Sequence, residues 1–423
     1  MKSTAVLQVF TCVLLLKYAL GSDWLEAYQK GIQEQMALRG IQEFPEKAGN
    51  QTSQHQPLMC PDMTPSSTVP TTVHRVKPAD VKIIAALGDS LTTAIGENAT
   101  NIIELLFEYR HLSWSIGGYG NFSDIITLPN IFRLFNPNLV GAAPKRTLST
   151  KPSPLEDTAL NLAVTGANTY EFPEQTRNLV DSLKTYPGIS FENDWKVVTI
   201  FIGGNDLCDY CKNKTLFSAD SFIHNLTISL DMLHQELPRT IVNVVQVFWM
   251  ESLREVNDGS LGCLLQKSFC SCLVLPQKNS TEIQELLDQN VQFQKKLEAL
   301  IDSGRYDDKE DFAVVLQPFL KKAQAPKLSN GSIDYSYFAL DCFHFTIKGH
   351  EELAKGLWNN MLQPEGEKFE IETLSKPVQL ICPSQDHPYI YTRKSSKGSL
   401  APPILNGSYP IILLILILEL GFW

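Results

Sequence analysis

From Lys82 onward, short apolar segments alternate with longer amphipathic ones, and this alternation restricts the possible folds of the 423-residue chain more than any other feature. The apolar segments are rich in β-branched residues and almost continuously apolar, as strands covered on both faces are. The predicted strands are Val81–Asp89, Thr158–Val164, Trp195–Gly204, Thr240–Phe248 and Asp311–Pro318.

The amphipathic segments predict helices between and after these strands. They are Glu174–Tyr186, Ala219–Leu237, Thr281–Ser303 and Ile347–Met361. Alternation of strand and helix predicts a central parallel sheet of about five strands with helices packed on both faces. The chain is therefore expected to have an α/β fold.

One insertion, Ser113–Ala143, separates the first two predicted strands. It is rich in Gly and Asn, yet it also carries Ile, Leu, Phe and Trp. This composition fits a mobile loop that receives substrate, and it fits equally a packed excursion that covers an edge of the core. Composition leaves both interpretations open.

The N-terminus has the pattern of a secretory signal peptide, with Lys2, an apolar stretch from Ala5 to Leu16 and small residues up to Gly21. We expect residues 1–21 to be removed, with a short buried helix as the alternative. Residues 22–78 are polar and predict an arm or pro-segment with one helix near Trp24–Arg39. Residues 79–364 form the expected folded domain, followed by an extension over 365–396.

The C-terminus ends in an apolar stretch, Tyr409–Trp423, that is short for a membrane span and has no basic residue after it. Small residues and a spacer precede it, which favours a removed GPI-anchor signal over residues 397–423. A single-pass membrane segment is the alternative. Either anchor places the protein on the extracellular face of the plasma membrane.

Export agrees with the asparagine sequons and with the cysteines. Of nine cysteines, Cys12 lies in the expected signal peptide, and an even set of eight in an exported chain predicts disulfides whose pairing the sequence leaves open. The alternative for Cys208 and Cys211 is half of a zinc site, although no second pair completes it. N-glycosylation is expected at Asn50, Asn98, Asn121, Asn213, Asn225, Asn279 and Asn330, and an eighth sequon begins at Asn406.

The charge balance excludes one class of partner. With 36 basic and 46 acidic residues, the net charge is −10, and the chain has no basic cluster. Nucleic acid is therefore not an expected partner, and electrostatic docking on an anionic membrane is also disfavoured.

Chemistry-bearing residues follow the predicted strands at the points where the strands end. Ser90 comes directly after the first strand, Gly166 after the second and Asn205 after the third. Asp341 and His344 come after the fifth. Because functional groups gather at the carboxyl ends of parallel strands, we expect these five residues to share one edge of the sheet.

Together these residues have the chemistry that acyl transfer requires. A serine hydroxyl needs an imidazole to take its proton, and the imidazole needs a carboxylate to orient it. Ser90, His344 and Asp341 are the candidates for these roles. The amides of Ser90 and Gly166 and the side chain of Asn205 are the candidate oxyanion-hole donors.

The remaining histidines and Asp206 are assigned no catalytic role. His350 begins the last helix and is expected to pack or cap, and Asp206 is expected to bond within its own turn. Residue 92 is Thr, where the Gly-x-Ser-x-Gly elbow of α/β-hydrolases has Gly, so that fold is not expected. The other histidines set aside are His55, His74, His111, His224, His234 and His387.

The four blocks resemble those of the GDSL (SGNH) hydrolases. They are Gly88-Asp89-Ser90-Leu91, Gly166, Gly203-x-Asn205-Asp206 and Asp341-x-x-His344. The resemblance implies a flavodoxin-like three-layer α/β/α sandwich and a Ser–His–Asp mechanism. It gives Ser90, His344 and Asp341 the catalytic roles and Ser90, Gly166 and Asn205 the oxyanion hole, with no metal or other cofactor.

Longer stretches resemble the phospholipase B branch of this family over about Val81–Pro364. They are "LGDSLTTAIG", "SWSIGGYGN", "TLPNIFRLFNPNLVG", "NLAVTGA" and "DCFHFTIKGHEELA". Vertebrate members carry several tandem copies of this domain, and this sequence carries one. The resemblance implies hydrolysis of acyl esters in glycerophospholipids and lysophospholipids at a membrane surface. The apolar residues of the insertion Ser113–Ala143 are consistent with this, since they would receive acyl chains.

Two alternatives belong to other functional classes. One is an esterase that acts on retinyl, acylglycerol or acetylated sugar esters. The other is a non-catalytic binding ectodomain, which loss of Ser90, His344 or Asn205 would have favoured. All three positions carry the residue type that catalysis requires.

Overall fold

A computed structural model describes residues 30, 55–56 and 58–399, with the side chains up to residue 396. Its centre is a four-stranded parallel sheet with the strand order β1-β4-β5-β6. Three predicted segments lie outside the described residues: the signal peptide, the C-terminal apolar stretch and the helix near Trp24–Arg39. Of that helix, only Lys30 is described. The sheet strands are β1 (Val81–Gly88), β4 (Trp195–Phe201), β5 (Thr240–Val245) and β6 (Phe312–Gln317).

The sheet strands begin within one residue of their predicted starts and end one to three residues before their predicted ends. The residues that follow them turn away into loops and short helices. In register, Gly88 of β1 lies beside Phe201 of β4, and Val245 of β5 lies beside Gln317 of β6. A separate two-stranded antiparallel sheet pairs β2 (Phe107–Glu108) with β3 (Thr147–Leu148).

Helices pack against the sheet to give three layers, as predicted. Phe222 of α6 stacks on Phe293 of α10 at a centroid distance of 4.3 Å. In another helix pair, Phe132 of α2 meets Trp358 of α11 edge to face at 5.5 Å. The α-helices are α1 (Ser90–Thr93), α2 (Leu128–Phe135), α3 (Leu155–Thr158), α4 (Phe172–Thr185), α5 (Gly204–Asp209), α6 (Ala219–Glu236), α7 (Leu261–Leu264), α8 (Gln266–Phe269), α9 (Ser271–Val274), α10 (Thr281–Asp302), α11 (Ile347–Met361) and α12 (Arg393–Ser399).

The long helices match their predicted ranges because each carries an apolar stripe, and two of them also have a strong cap. Ser218 caps α6 by accepting from the Ser221 amide, and Ser280 caps α10 by accepting from the Ile283 amide. Short 3₁₀ helices connect the main elements. They span Val73–Arg75, Pro78–Asp80, Ile103–Leu106, Arg110–Leu112, Thr169–Glu171, Met250–Glu255 and Tyr335–Tyr337.

The prediction of a strand over Thr158–Val164 is wrong, and the described sheet has four strands where about five were expected. Thr158 ends α3, and the following residues run beside β1 without forming a regular ladder. The Leu162 amide donates to the Ala86 carbonyl at 3.0 Å, and the Val164 amide donates to the Gly88 carbonyl at 3.1 Å.

The place beside β1 is shared by two short segments, which is why neither is a strand. The Val140 amide donates to the Lys82 carbonyl, and the Ile84 amide donates to the Val140 carbonyl. The Leu160 amide donates to the Gly141 carbonyl and so joins the second segment to the first. Each segment contributes isolated bridges only, and together they take the position of the fifth strand.

The insertion Ser113–Ala143 is packed rather than loose. Trp114, Ile116 and Phe132 are fully buried in the main core, and Trp114 lies edge to face with Phe201 at 5.8 Å. The packed alternative therefore describes this segment. Tyr119 is its large hydrophobic residue that stays exposed, at 48%.

The segments before and after the sheet region are fixed to it. The indole of Trp195 donates to the Pro70 carbonyl, and the Ile390 amide donates to the Val76 carbonyl. A disulfide joins Cys60 to Cys382. Across the described residues, no helix is both long enough and apolar enough to cross a bilayer.

Candidate active site

The carboxyl edge of the sheet brings Ser90, His344 and Asp341 together, as predicted from the strand ends. Ser90 Oγ lies 2.9 Å from His344 Nε2, and His344 Nδ1 lies 2.6 Å from Asp341 Oδ2. Both lengths are those of good hydrogen bonds. A hydroxyl, an imidazole and a carboxylate in this order can generate a serine nucleophile.

The loop of Asp341 holds the carboxylate in the ionised form that orients a histidine. Its Oδ1 accepts the amides of Phe343 at 3.1 Å and His344 at 3.0 Å. Complete burial acts to raise the pKa of Asp341, but the charge and hydrogen bond of His344 and these amides outweigh it, so the pKa is lowered. The carboxylate can therefore stabilise an imidazolium at His344.

Ser90 begins helix α1, and Asp89 caps this helix. The Asp89 side chain accepts from the Leu91 amide at 3.0 Å, which fixes the turn that presents Ser90. Burial raises the pKa of Asp89 to about 6, against the opposing effects of the Leu91 hydrogen bond and the charge of His344. Sequence reasoning did not identify this local role of Asp89.

The three candidate oxyanion donors come from three segments of the chain. Among the described residues, neither the Ser90 amide nor the Gly166 amide donates to a backbone acceptor, so both are available to a ligand. Gly166 has φ +82°, a left-handed conformation that favours glycine. The Asn205 side chain donates to the Ala167 carbonyl at 2.9 Å, which sets it beside the Gly166 loop.

Asp206 bonds to the Gly166 loop, a contact that sequence reasoning did not identify. It accepts from the Thr169 hydroxyl at 2.6 Å and from the Thr169 amide at 3.1 Å. Burial raises the pKa of Asp206 to about 7, against the lowering effect of the Thr169 hydrogen bonds. Asp206 therefore ties α5, which carries Asn205, to the loop that carries Gly166.

His350 packs, as expected, and does not contact Ser90 directly. Its Nδ1 accepts from the Trp114 amide at 3.2 Å and lies 3.9 Å from Glu97 Oε2. Burial, followed by the charge of His344, lowers the pKa of His350 to about 3. His350 is thus a neutral, buried histidine close to the site.

Three disulfides join segments next to the site, and both cysteines of the zinc alternative are bonded in them. Cys208 and Cys211 of the α5 region pair with Cys270 and Cys272 of the segment over residues 261–276. The third disulfide joins this segment to the loop that precedes His344. The three pairs are Cys208–Cys270, Cys211–Cys272 and Cys263–Cys342.

Sequence reasoning also missed a buried polar cluster next to Ser90. Glu108 and Arg110 form an ion pair at 2.8 Å, and the Thr165 hydroxyl donates to the same carboxylate at 2.6 Å. Thr165 precedes Gly166 directly, and its hydroxyl lies 2.6 Å from that of Thr93 in α1. Glu108 and Arg110 are two residues apart, but Thr165 and Thr93 reach this pair only through the tertiary fold, so no local pattern could have revealed the cluster.

An open cleft of about 820 Å³ lies elsewhere on the surface and contains none of the residues at the site. Three of its lysines are paired, to Glu298, Glu370 and Glu255, which neutralises much of its positive charge. The cleft is lined by Trp249, Gln294, Lys321, Lys322, Gln324, Ala325, Lys327, Glu372, Thr373, Ser375 and Lys376.

With the fold and the geometry described, comparison with known proteins gives the family. The profile of the GDSL-like lipase/acylhydrolase family matches residues 84–357. The chain belongs to this family. The matched range contains β1 from Ile84 onward, the other three sheet strands and every residue that the geometry brings together at the site. The GDSL resemblance predicted from the four blocks is therefore confirmed.

Three curated relatives named "Phospholipase B1, membrane-associated" confirm the resemblance to the phospholipase B branch. The Homo sapiens protein is 45% identical over 344 residues, 80% of this chain and 23% of the relative. The Mus musculus protein is 41% identical over 380 residues, which are 89% of this chain and 25% of the relative. The Rattus norvegicus protein is 40% identical over 380 residues, which are 89% of this chain and 26% of the relative. The chain spans about a quarter of the length of these relatives.

Proposed function

We propose that this protein is a serine esterase that hydrolyses acyl ester bonds of glycerophospholipids and lysophospholipids. The observation that carries the proposal is the continuous hydrogen-bonded series from Ser90 through His344 to Asp341, at 2.9 and 2.6 Å. Family membership supports ester hydrolysis, and the names of the relatives support the phospholipid class.

In the proposed acylation step, Ser90 Oγ attacks the ester carbonyl carbon while His344 Nε2 takes the hydroxyl proton. The carbonyl oxygen becomes an oxyanion, which the amides of Ser90 and Gly166 and the Asn205 side chain stabilise. The lysolipid or glycerol oxygen then leaves with the proton from His344. The Asp341 carboxylate stabilises the imidazolium that forms in between.

In the proposed deacylation step, a water molecule attacks the acyl group on Ser90. His344 takes a proton from the water and then returns one to Ser90 Oγ as the fatty acid leaves. Because the three donors are already fixed by the fold, little reorganisation is needed at the moment of reaction. No step in this scheme requires a metal or a redox cofactor.

Apolar surface near the site supports a substrate with acyl chains. Val164 is 49% exposed and lies two residues before Gly166, in the segment beside β1. Phe269 and Phe343 contact the His344 ring at centroid distances of 5.9 and 5.2 Å. The imidazole is thus enclosed by aromatic groups, which exclude water and strengthen its interaction with Asp341.

We also propose that the protein is exported, N-glycosylated and held at the extracellular face of the plasma membrane by a GPI anchor or a C-terminal membrane segment. The disulfides support an oxidising compartment. Four sequon asparagines are exposed, namely Asn121, Asn213, Asn279 and Asn330. Asn98 and Asn225 are half-buried, and Asn50 and Asn406 lie outside the described residues.

The test is hydrolysis of phosphatidylcholine, lysophosphatidylcholine and a short p-nitrophenyl ester by the purified wild-type protein, Ser90→Ala and Asn205→Ala. We expect fatty acid release by the wild type and none above background by Ser90→Ala. Asn205→Ala is expected to lower kcat by about 10²–10³, as loss of one oxyanion donor does.

Equal release by wild type and Ser90→Ala would refute the mechanism. Hydrolysis of the short ester alone would refute the phospholipid class and favour another esterase substrate. Release from cells by a phosphatidylinositol-specific phospholipase distinguishes the GPI anchor from a membrane segment.

A further inference from the structure

Glu108 and Arg110 form a buried ion pair that the reaction described above does not use. Their side chains are 5% and 7% exposed, and Arg110 Nη2 lies 2.8 Å from Glu108 Oε2. Burying two charges is costly unless every donor and acceptor is satisfied. The partners of this pair therefore indicate what the pair holds in place.

The first set of partners runs from Glu108 to the helix that begins at Ser90. A carboxylate only accepts hydrogen bonds, so the Thr165 hydroxyl gives its one proton to Glu108 Oε1, at 2.6 Å. The Thr165 oxygen is then the acceptor for the Thr93 hydroxyl, also at 2.6 Å. Thr93 lies in α1, which starts at Ser90, and Thr165 directly precedes Gly166.

The second set runs from Arg110 to the same two segments. Arg110 Nη1 donates to the carbonyls of Asn161 at 3.0 Å and Ala163 at 3.1 Å, and also to Asn161 Oδ1 at 3.1 Å. The Asn161 side chain in turn donates to the Thr92 carbonyl at 3.0 Å. Two separate hydrogen-bonded routes therefore connect the Ser90 helix with the segment that leads to Gly166.

We propose that Thr93, Thr165 and Glu108, with Arg110 as the counter-ion, are positioning residues that set the distance between the Ser90 hydroxyl and the Gly166 amide. This inference rests on the proposed function, since it assigns the two groups to attack and to oxyanion binding. None of the four residues contacts the reacting atoms directly. They act through the backbone of residues 90–93 and 161–166.

Such a network has a role because the backbone hydrogen bonds between these two segments stop short of Gly166. The last of them joins the Val164 amide to the Gly88 carbonyl of β1 at 3.1 Å, and within the described residues no backbone hydrogen bond joins Thr165 or Gly166 to α1. On its other side, the loop that carries Gly166 is held to α5. The Thr169 hydroxyl of this loop donates to Asp206, and the Asn205 side chain of α5 donates to the Ala167 carbonyl. The hydroxyl chain supplies the fixation toward Ser90.

The test compares Thr165→Val with Thr165→Ser. Valine has nearly the shape of threonine but cannot donate to Glu108, whereas serine keeps the hydroxyl. We expect Thr165→Val to lower kcat for ester hydrolysis by about tenfold to a hundredfold with KM nearly unchanged, because small misplacements of reacting groups cost rates of this size. Thr165→Ser is expected to stay within about threefold of wild type.

Thr147→Val is the matched control for a purely structural effect. The Thr147 hydroxyl donates to the same Glu108 carboxylate at the same 2.6 Å and accepts from Arg110 Nε at 2.9 Å. Among the described residues, its side chain forms no hydrogen bond with the Ser90 helix or with the Gly166 segment. We expect Thr147→Val to lower the melting temperature about as much as Thr165→Val while leaving kcat near wild type. Equal losses of kcat in the two valine variants, or no loss in Thr165→Val, would overturn the proposal.

A second readout separates this proposal from the choice of substrate. A fluorophosphonate probe reacts with an activated serine: a Ser90 Oγ–P bond forms, the P–F bond breaks, fluoride leaves and His344 takes the proton. The rate constant of labelling is expected to fall in Thr165→Val and not in Thr165→Ser or Thr147→Val. Normal labelling of the wild type without phospholipid hydrolysis would refute the substrate class alone, whereas equal labelling rates in all variants would refute the positioning role.

Discussion

At the scale of single residues, the site divides into a part that the sequence predicts and a part that it does not. Asp341 and His344 lie three residues apart, and the local turn alone brings the carboxylate to Nδ1 and to two amides. Ser90 adjoins a strand end, so the parallel sheet places it at the same edge. These relations depend on short-range spacing and on a rule for strand ends, and both are visible in the sequence.

The contacts of Thr165 with Glu108 and of Asp206 with Thr169 could not be predicted in the same way. The two residues lie 57 positions apart in the first pair and 37 in the second, so only the packed fold shows that they meet. The sequence does not distinguish a buried carboxylate from an exposed one. The sequence therefore predicts the reacting groups but not the side chains that hold them.

His350 supplies a prediction on pH and stability. Its pKa is lowered to about 3, first by burial and then by the charge of His344, while the unfolded chain binds the proton near pH 6.5. Between these values the unfolded state holds more protons, so the free energy of unfolding falls as the pH falls below 6.5. At pH 5 this loss is about 2 kcal/mol relative to pH 7.

The measurement is denaturant unfolding of wild type and His350→Gln at pH 7 and pH 5. The variant is expected to lose about 2 kcal/mol less on acidification than the wild type. Glu97, whose pKa is raised by burial and by Glu351, is present in both proteins, so its contribution largely cancels. His224→Gln, at an exposed position, is the control, and identical acid sensitivity of His350→Gln and wild type would contradict the prediction.

At the scale of elements, the long helices and the sheet strands follow from periodicity, whereas the short segments at the carboxyl edge do not. The segment over residues 261–276 contains three helices of four residues each. These helices are too short for an amphipathic pattern to specify them, and three disulfides and close packing hold them instead. The edge strand failed as a prediction for a related reason, because two segments share its place.

Close packing in this region leads to a prediction at Gly262 of α7. A Cβ added there would lie 1.8 Å from the Leu340 carbonyl oxygen, directly before Asp341. Gly262→Ala must therefore displace the loop that holds Asp341, and we expect kcat to fall by about tenfold or more and stability by about 1–3 kcal/mol.

Gly356→Ala is the control for this effect. An added Cβ at Gly356 of α11 would meet a ring carbon of Phe319 at 2.5 Å, an overlap with a side chain that is not one of the residues at the site. We expect this variant to lose stability but to keep kcat per folded molecule. The kcat of each variant is measured by steady-state kinetics at a temperature at which circular dichroism shows that both variants are folded. Equal kcat in the two variants would show that the Leu340 contact does not matter for Asp341.

At the scale of the whole molecule, the segments before and after the sheet region are bonded to each other. The Cys60–Cys382 disulfide spans 322 residues of sequence, and Ile390 and Val73 are both fully buried. The predicted arm and extension thus include residues that pack into the same core as the sheet. Their polar composition gave no sign of this, because a few anchoring residues do not change the average.

The disulfide between Cys60 and Cys382 is expected to contribute about 2–5 kcal/mol to stability, because it closes a very long loop in the unfolded chain. The double variant Cys60→Ser/Cys382→Ser should therefore unfold at a lower denaturant concentration than the wild type. Its kcat is expected to remain near wild type, since neither cysteine lies among the residues at the site. An unchanged unfolding midpoint would contradict the prediction.

The same disulfide has a consequence for proteolysis. Almost all of the described chain lies between Cys60 and Cys382, so a protease that cuts once anywhere in this range leaves two pieces that remain covalently joined. Without reductant, the cut protein keeps the mass of the intact one, and the two fragments separate on a gel only after reduction. Processing at an internal site would therefore escape detection unless samples are compared with and without a thiol.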